Sequence, residues 1–324
     1  MGIKFLNKYL YEKCGKTSIT KIHLKELSGK TIVIDTSIYL YHFVGENALM
    51  ENMYLFISIM NLYNITPIFI FDGKPPSEKR ELIRKRYQEK KDAQQKFNEL
   101  QKSLNLMTPE QRSQALSEMN NLKRQFIRIY DDDIQKVKEL MDAYNVTYYN
   151  SKNEADDLCV YLVKKELAWG CMSDDMDMFL YGCPYVLRNL SLMNHTITLY
   201  KTQNILSDLN LSEKEFREIM TISGTDYNLH SNTSLSETLK WYEEYKKYIK
   251  KQKEQDLKYY EFYIWLIKNT KYIKNYRELL NVYQIFCGKY DKNYENIDFN
   301  KTNRLNPDMN KIHRIMEKEG FIFA

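Results

Sequence analysis

Two runs of unbroken apolar residues organise the first third of the chain: TIVI from Thr31 to Ile34 and IFIF from Ile68 to Phe71. Continuous rather than alternating hydrophobicity marks strands covered on both faces of a parallel sheet. Between them, Asn52 to Tyr63 carries apolar residues at helical spacing, so the chain opens as β–α–β. The pattern returns further on. It predicts a helix over Ile134–Tyr144, a strand over Val146–Tyr149, a helix over Glu154–Leu167 and a short strand before Ser173. Strands follow over Tyr185–Leu190 and Thr196–Tyr200. Ser212 with Glu215 three residues on is a capping-box signature for a helix to about Ile222, ended by Gly224-Thr225-Asp226-Tyr227. The prediction is an α/β fold: a mostly parallel central sheet flanked by helices.

Two stretches do not fit a core. Ser77 to Lys102 reads as a long polar helix, and after a turn-like Thr108-Pro109 the helical pattern resumes from Gln114 to Ile129. This block is expected to project from the sheet. Beyond Asn232 the chain is lysine- and tyrosine-rich and helical, with seven basic and four acidic residues in Lys240–Lys258. Lys268, Lys271, Lys274 and Arg277 follow at intervals of three. A boundary is expected near 228–235, with the C-terminal part either separate or wrapped on the first.

Composition narrows the class. Of 324 residues, 43% are hydrophobic and 28% charged, which excludes collagen-like, low-complexity and wholly disordered chains. With 48 Lys+Arg against 43 Asp+Glu the net charge is only +5, unlike a histone-like polycation. That balance is uneven along the chain: Lys74–Lys102 alone holds ten basic and five acidic residues. Five widely spaced cysteines form no zinc or CxxC spacing and read as free thiols in a reducing compartment. The N-terminus carries no signal-type apolar segment, and no window has the length of a membrane span, so a soluble intracellular protein is expected.

The acids fall where chemistry is placed in parallel sheets. Asp35 and Asp72 each follow an apolar strand directly, at the carboxyl edge where such folds bind ligands. Glu154, Asp156 and Asp157 open a helix; Asp175 and Asp177 follow a strand; Asp226 occupies a turn. A lone Asp after a strand is commonly a helix cap or turn former, and Asp174 reads that way. Carboxylates gathered at one edge repel unless a cation sits among them, and all-oxygen ligands suit Mg²⁺ or Mn²⁺. That many exceed the needs of one ion; two ions fit phosphodiester hydrolysis. Glu154 and Asp157 share a helical face at i,i+3, whereas Glu154 joins Asp156 only if the helix begins between or just after them.

At these residues the chain resembles the flap endonuclease family of structure-specific 5′ nucleases. Gly2-Ile3-Lys4-Phe5-Leu6 is similar to the family's G-I-x-G-L start, with Phe5 in place of the second glycine. IVIDTSIYLYHF resembles its first aspartate motif and TPIFIFDGKPPSEKRELIRKR its second. Glu-Ala-Asp-Asp at 154–157, Asp174-Asp175-Met176-Asp177 and SGTDYN at 223–228 resemble the remaining three. The resemblance implies a Rossmann-like (PIN-like) nuclease core over 1–228, with a helical arch inserted at about 77–128. A helical C-terminal region over 229–324 would bind DNA or wrap the core. It also implies two Mg²⁺ ions, for which Mn²⁺ can substitute. Asp35, Asp72, Glu154 and Asp156 would hold one, and Asp175, Asp177 and Asp226 the other, with Asp157 assisting. Lys79 and Arg86 would contact the scissile phosphate, with Lys74, Arg80, Arg84 and Lys85 as DNA-backbone contacts and Gly2 beside the substrate.

The resemblance has a gap. The family's glycine-rich helix-hairpin-helix has no counterpart, since no glycine occurs between Gly224 and Gly288. Holding duplex would then fall to the lysine-rich helices. No sliding-clamp motif ends the chain, where Phe321-Ile322-Phe323 reads as packed or frayed. The expected activity is cleavage of DNA at 5′ flaps, nicks, gaps or junctions, as endonuclease and 5′–3′ exonuclease, by a monomer. The divergence is similar to copies carried by large DNA viruses, which would place it in host cytoplasm rather than the nucleus. An RNA-directed 5′–3′ nuclease, a noncatalytic junction binder and another metallohydrolase on a related sheet are the alternatives.

Overall fold

The computed structural model describes residues 2–227, 233–255, 257–288, 294 and 306–323. Met1, Asn228, His230 and most of the expected boundary at 228–235 therefore lie outside the described residues. The sheet strands are β1 (Ile19–His23), β2 (Thr31–Asp35), β3 (Thr66–Phe71), β4 (Thr147–Asn150), β5 (Gly170–Met172), β6 (Tyr185–Ser191) and β7 (Thr196–Lys201). Their order is β1-β7-β6-β5-β2-β3-β4. The four pairings from β6 to β4 are parallel, while β7 pairs antiparallel with both β6 and β1. The sheet is thus mostly parallel, as expected, with an antiparallel margin.

The unbroken apolar strands follow from burial on both faces. Val33, Ile68 and Ile70 point into one core with α1 (Leu6–Lys13) and α7 (Ala155–Lys164). Ile32, Ile34, Phe69 and Phe71 point into the other, with α2 (Thr36–Gly45), α3 (Leu49–Leu62) and α6 (Asp131–Ala143). A two-residue period splits each run between the two cores. From β4 the chain crosses through α7 to β5, on the far side of β2. That reversal opens a crevice at the carboxyl ends of β2 and β5.

The polar block projects as a helical hairpin of α4 (Arg80–Ser103) and α5 (Pro109–Lys123). Leu82, Ala93, Ala115, Met119 and Leu122 are buried in it, and the Phe97 and Phe126 rings meet edge to face at 5.5 Å. The second helix starts earlier than its apolar spacing predicts. Thr108-Pro109 is no turn: Thr108 and Gln111 form a capping box and Pro109 occupies the first helical position.

After α8 (Thr202–Leu209) and the capping-box helix α9 (Glu213–Ile222), helices α10 (Leu235–Glu254), α11 (Phe262–Asn269) and α12 (Tyr276–Phe286) join the α7 core through Tyr242, Phe262 and Phe286. Helix α13 (Met309–Lys318) returns to the opposite face, burying Ile312 and Met316 beside α6. Phe321 and Phe323 pack on Tyr54, so this C-terminal aromatic pair is packed. Among the described residues no helix is long and apolar enough to cross a membrane.

One close approach fixes the β3–α7 region. Gly73 N donates to Asn153 O at 2.6 Å, and a Cβ there would strike the Ser151 carbonyl and lie 2.8 Å from Lys152 C. Both obstacles are backbone, so neither can rotate away. Gly73→Ala is expected to destabilise the fold by about 1–3 kcal/mol, measured by urea unfolding; an unchanged midpoint contradicts this reading.

Candidate active site

The carboxylates meet at the crevice between β2 and β5. Asp35 ends β2 at the N-cap position of α2, yet its side chain makes no cap bond. Only 4% exposed, it instead accepts a hydrogen bond from Ser173 Oγ at 3.0 Å, across the crevice. Asp72, after β3, reaches sideways: its Oδ1 accepts from Ala155 N at 2.7 Å, which ties the β3 end to the start of α7. Asp175 caps a short 3₁₀ turn by accepting from Asp177 N at 2.9 Å. Asp177 Oδ1 is buried and has no hydrogen-bond partner among the described residues. Asp174 forms neither a cap nor a local turn bond among the described residues; it ties its loop to β6 by accepting from Asn189 N at 2.7 Å.

The start of α7 decides the third motif. Glu154 is the extended N-cap residue and the helix begins at Ala155, between the two acids, so Glu154 and Asp156 both act on Lys79. Asp157 has a different environment. Its Oδ1 accepts from Leu158 N, and the buried Tyr294 hydroxyl also bonds to it. Burial raises its pKa to about 7 although the Tyr294 bond favours the charged form.

Burial, followed by mutual repulsion, raises the pKa of Asp35, Asp156 and Asp177. Asp72 acts on Asp35, Asp35 and Asp175 on Asp156, and Asp175 and Asp226 on Asp177. Two cations from the foot of α4 stand among these acids. Lys79 Nζ donates to Glu154 Oε1 at 2.8 Å and lies 4.6 Å from the Tyr227 ring centroid; Arg86 donates to Asp226 Oδ2 at 2.7 Å. Burial opposes the charge on Lys79, but Asp156 and Glu154 outweigh it and hold its pKa above the usual lysine range. Lys79 and Arg86 thus reach the site from one helix, two turns apart.

The remaining basic residues are placed differently. Lys74, Arg80, Arg84 and Lys85 are exposed; Arg80 lines a 420 Å³ cavity with Asp226 and Tyr227. Gly2, at φ +80, lies where a Cβ would be 2.7 Å from Asp177 Oδ1 and 2.9 Å from Asp175 Oδ1. Sequence reasoning missed Tyr227, whose hydroxyl donates to Glu154 Oε2 at 2.9 Å and approaches Tyr181 OH at 3.4 Å. It also missed Ser173. The only linear signal for either was adjacency to a motif aspartate.

Among the described residues no three His, Cys, Asp or Glu side chains are drawn together tightly enough to grip a cation as they stand. The donor set nevertheless suits a hard divalent ion. It is all oxygen, it is mutually repelling, and it includes the orphaned Asp177 Oδ1.

The repulsion has a measurable sign. The folded-state pKa of Asp35 lies above the unfolded value of about 3.9, so ionising it opposes folding as pH rises through that value. Asp35→Asn keeps an acceptor for Ser173 and cannot ionise. Without divalent metal it is expected to be as stable as wild type near pH 4 and about 1–2 kcal/mol more stable at pH 8. Thermal melts across that range check it; a variant less stable than wild type at pH 8 refutes the repulsion.

Comparison with known proteins identifies the family. The XPG N-terminal domain matches residues 1–93 and the XPG I-region residues 145–226, flanking the helical hairpin. A probable RAD2-like endonuclease of Invertebrate iridescent virus 6 is 30% identical over 280 residues, spanning 70% of this chain and 67% of that protein. Flap endonuclease 1 of Trypanosoma cruzi is 27% identical over 249 residues, covering 70% of this chain but 61% of the relative, so the chain spans about three fifths of that protein. In fold, the catalytic core of Rad2 in complex with DNA substrate superposes with a TM-score of 0.65 at 21% identity, over 99% of this chain and 95% of that one. Flap endonuclease-1 from Methanococcus jannaschii gives 0.59 at 19% identity, over 98% and 93%. Two family regions covering both halves of the carboxylate site, together with the viral relative, establish that the chain belongs to the FEN/XPG family of structure-specific nucleases.

Proposed function

We propose that the protein is a structure-specific 5′ nuclease, hydrolysing DNA phosphodiester bonds beside single-strand/double-strand junctions at 5′ flaps, nicks or gaps. The observation that carries this reading is the pairing of two cations at the foot of α4, Lys79 and Arg86, with the half-buried acids Glu154 and Asp226, beside the buried Asp35, Asp156, Asp175 and Asp177. A partly buried site that combines dication ligands with neighbouring cations is suited to a phosphate group, whose charge both can share.

Asp35, Asp72, Glu154 and Asp156 would hold one Mg²⁺, and Asp175, Asp177 and Asp226 a second; Mn²⁺ has the same preference for oxygen. Bound there, the metal supplies Lewis-acid stabilisation of charge on the transferring phosphate. The chain's own residues do the rest. Tyr227 and Ser173 orient Glu154 and Asp35 by hydrogen bonds. Lys79 and Arg86, near carboxylates whose charge the metal neutralises, are free to turn to the scissile phosphate. In this reading residues 1–228 form the nuclease core, the hairpin at about 77–128 arches over the entering strand, and residues 229–324 hold duplex with lysine-rich helices. Lys74, Arg80, Arg84 and Lys85 serve as phosphate contacts on the exposed flank of the arch.

Two sets of variants test this. Asp72→Ala and Asp175→Ala are expected to abolish Mg²⁺-dependent cleavage of a 5′-flap substrate while leaving DNA affinity within a few-fold, because phosphate contacts elsewhere supply most binding. Near-wild-type cleavage by either variant would disprove the assignment. Lys79→Ala and Arg86→Ala are each expected to lower the single-turnover rate about 10²–10³-fold with little change in substrate affinity. A loss confined to affinity would make them binding contacts only.

A further inference from the structure

Phe5 is the most anomalous residue beside the site. It has φ 65 and ψ 1, in the left-handed region, at the N-cap of α1, and its side chain makes no cap bond. Bulky side chains rarely adopt this conformation, and the similar family start places glycine here. The ring gains nothing from packing, because Phe5 is 75% exposed.

Its surroundings hold it there. Ile3 and Leu6 on either side are buried, and Leu6 N and Tyr9 N bond to Ile3 O and Phe5 O. Asn7 Oδ1 accepts from Arg188 NH1 at 2.9 Å, and Arg188 NH2 donates to Asp174 O at 2.8 Å. On the other side, Gly2 abuts the Asp175 and Asp177 carboxylates. The turn that presents Phe5 is therefore fastened at both ends to the loop carrying two of the site's acids. Strained backbone that the surrounding structure over-determines is found chiefly at functional sites. An exposed aromatic ring three residues after Gly2, which itself lies against the Asp175 and Asp177 carboxylates, fits one class of ligand for the proposed nuclease, the flat face of a nucleobase.

We propose that Phe5 is a stacking surface for an unpaired nucleobase of the DNA strand next to the phosphate being cut. The inference rests on the nuclease reading above. Phe5→Gly separates contact from structure, since glycine suits the left-handed backbone and removes only the ring. Binding of a 5′-flap substrate is measured by fluorescence anisotropy without divalent metal, so that nothing is cut, alongside thermal melts and a fully paired duplex control. Phe5→Gly is expected to raise the flap dissociation constant about fivefold or more, leave duplex binding unchanged and hold or raise Tm. Phe5→Trp should restore flap affinity to within about twofold of wild type, as stacking needs only a ring. Flap binding unaltered by Phe5→Gly, an equal loss on duplex, or a lowered Tm each overturn the proposal and leave the nuclease reading intact. Wild type that does not bind flap DNA at all overturns both.

Discussion

The structure depends on a repulsion. Asp35, Asp156, Asp175 and Asp177 are buried together at the reversal of strand order between β2 and β5, where burial and then neighbouring carboxylates oppose the ionisation of Asp35, Asp156 and Asp177. A chain selected for stability alone would place apolar or amide side chains there. Retaining acids calls for positive charge in the same space; Lys79 and Arg86 at the foot of α4 supply part of it, and in the proposed function hard divalent ions, which all-oxygen ligands prefer, would supply the rest. Phosphate also seeks those charges. Stability, metal preference and substrate class therefore follow from one electrostatic constraint.

The foot of the arch links this constraint to the rest of the molecule. Lys79 lies on Glu154, Glu154 is held by Tyr227, and Tyr227 meets Tyr181 and the Phe286 ring of α12. The α4–α5 hairpin, the candidate metal ligand Glu154 and the C-terminal helices thus share one chain of contacts. Deep packing of α10–α12 into the α7 core gives the lysine-rich helices a rigid footing without the glycine-rich hairpin of the family pattern.

Much of this was legible in the sequence where a local rule applied. Asp35 and Asp72 were found because each closes an apolar run, and the runs are apolar because both sheet faces are covered. The Ser212 capping box was read correctly for the same kind of reason, a short-range signature. Where a residue's role depends on geometry a few degrees or a whole domain away, the sequence was silent. The company of Asp156 and Asp157 turned on the first residue of α7, and Tyr294, nearly 140 positions on, bonds to Asp157. Thr108-Pro109 carries the residues of a turn and of a helix start alike, and only the capping bonds distinguish them. β1 was not predicted, since a short edge strand reading ITKIH offers little pattern. Phe5 was visible as a departure from glycine, but its exposure and backbone conformation were not.

The central claim is that this electrostatic site cuts DNA where single strand meets duplex. The most direct test is a Mg²⁺-dependent cleavage assay over matched 5′-flap, nicked, gapped and single-stranded DNA, with each product mapped to the nucleotide. The account predicts metal-dependent cuts clustered within a nucleotide or two of the junction, with blunt duplex and plain single strand largely spared. Equal cleavage of all substrates, cuts unrelated to the junction, or cleavage that persists in chelator would contradict it.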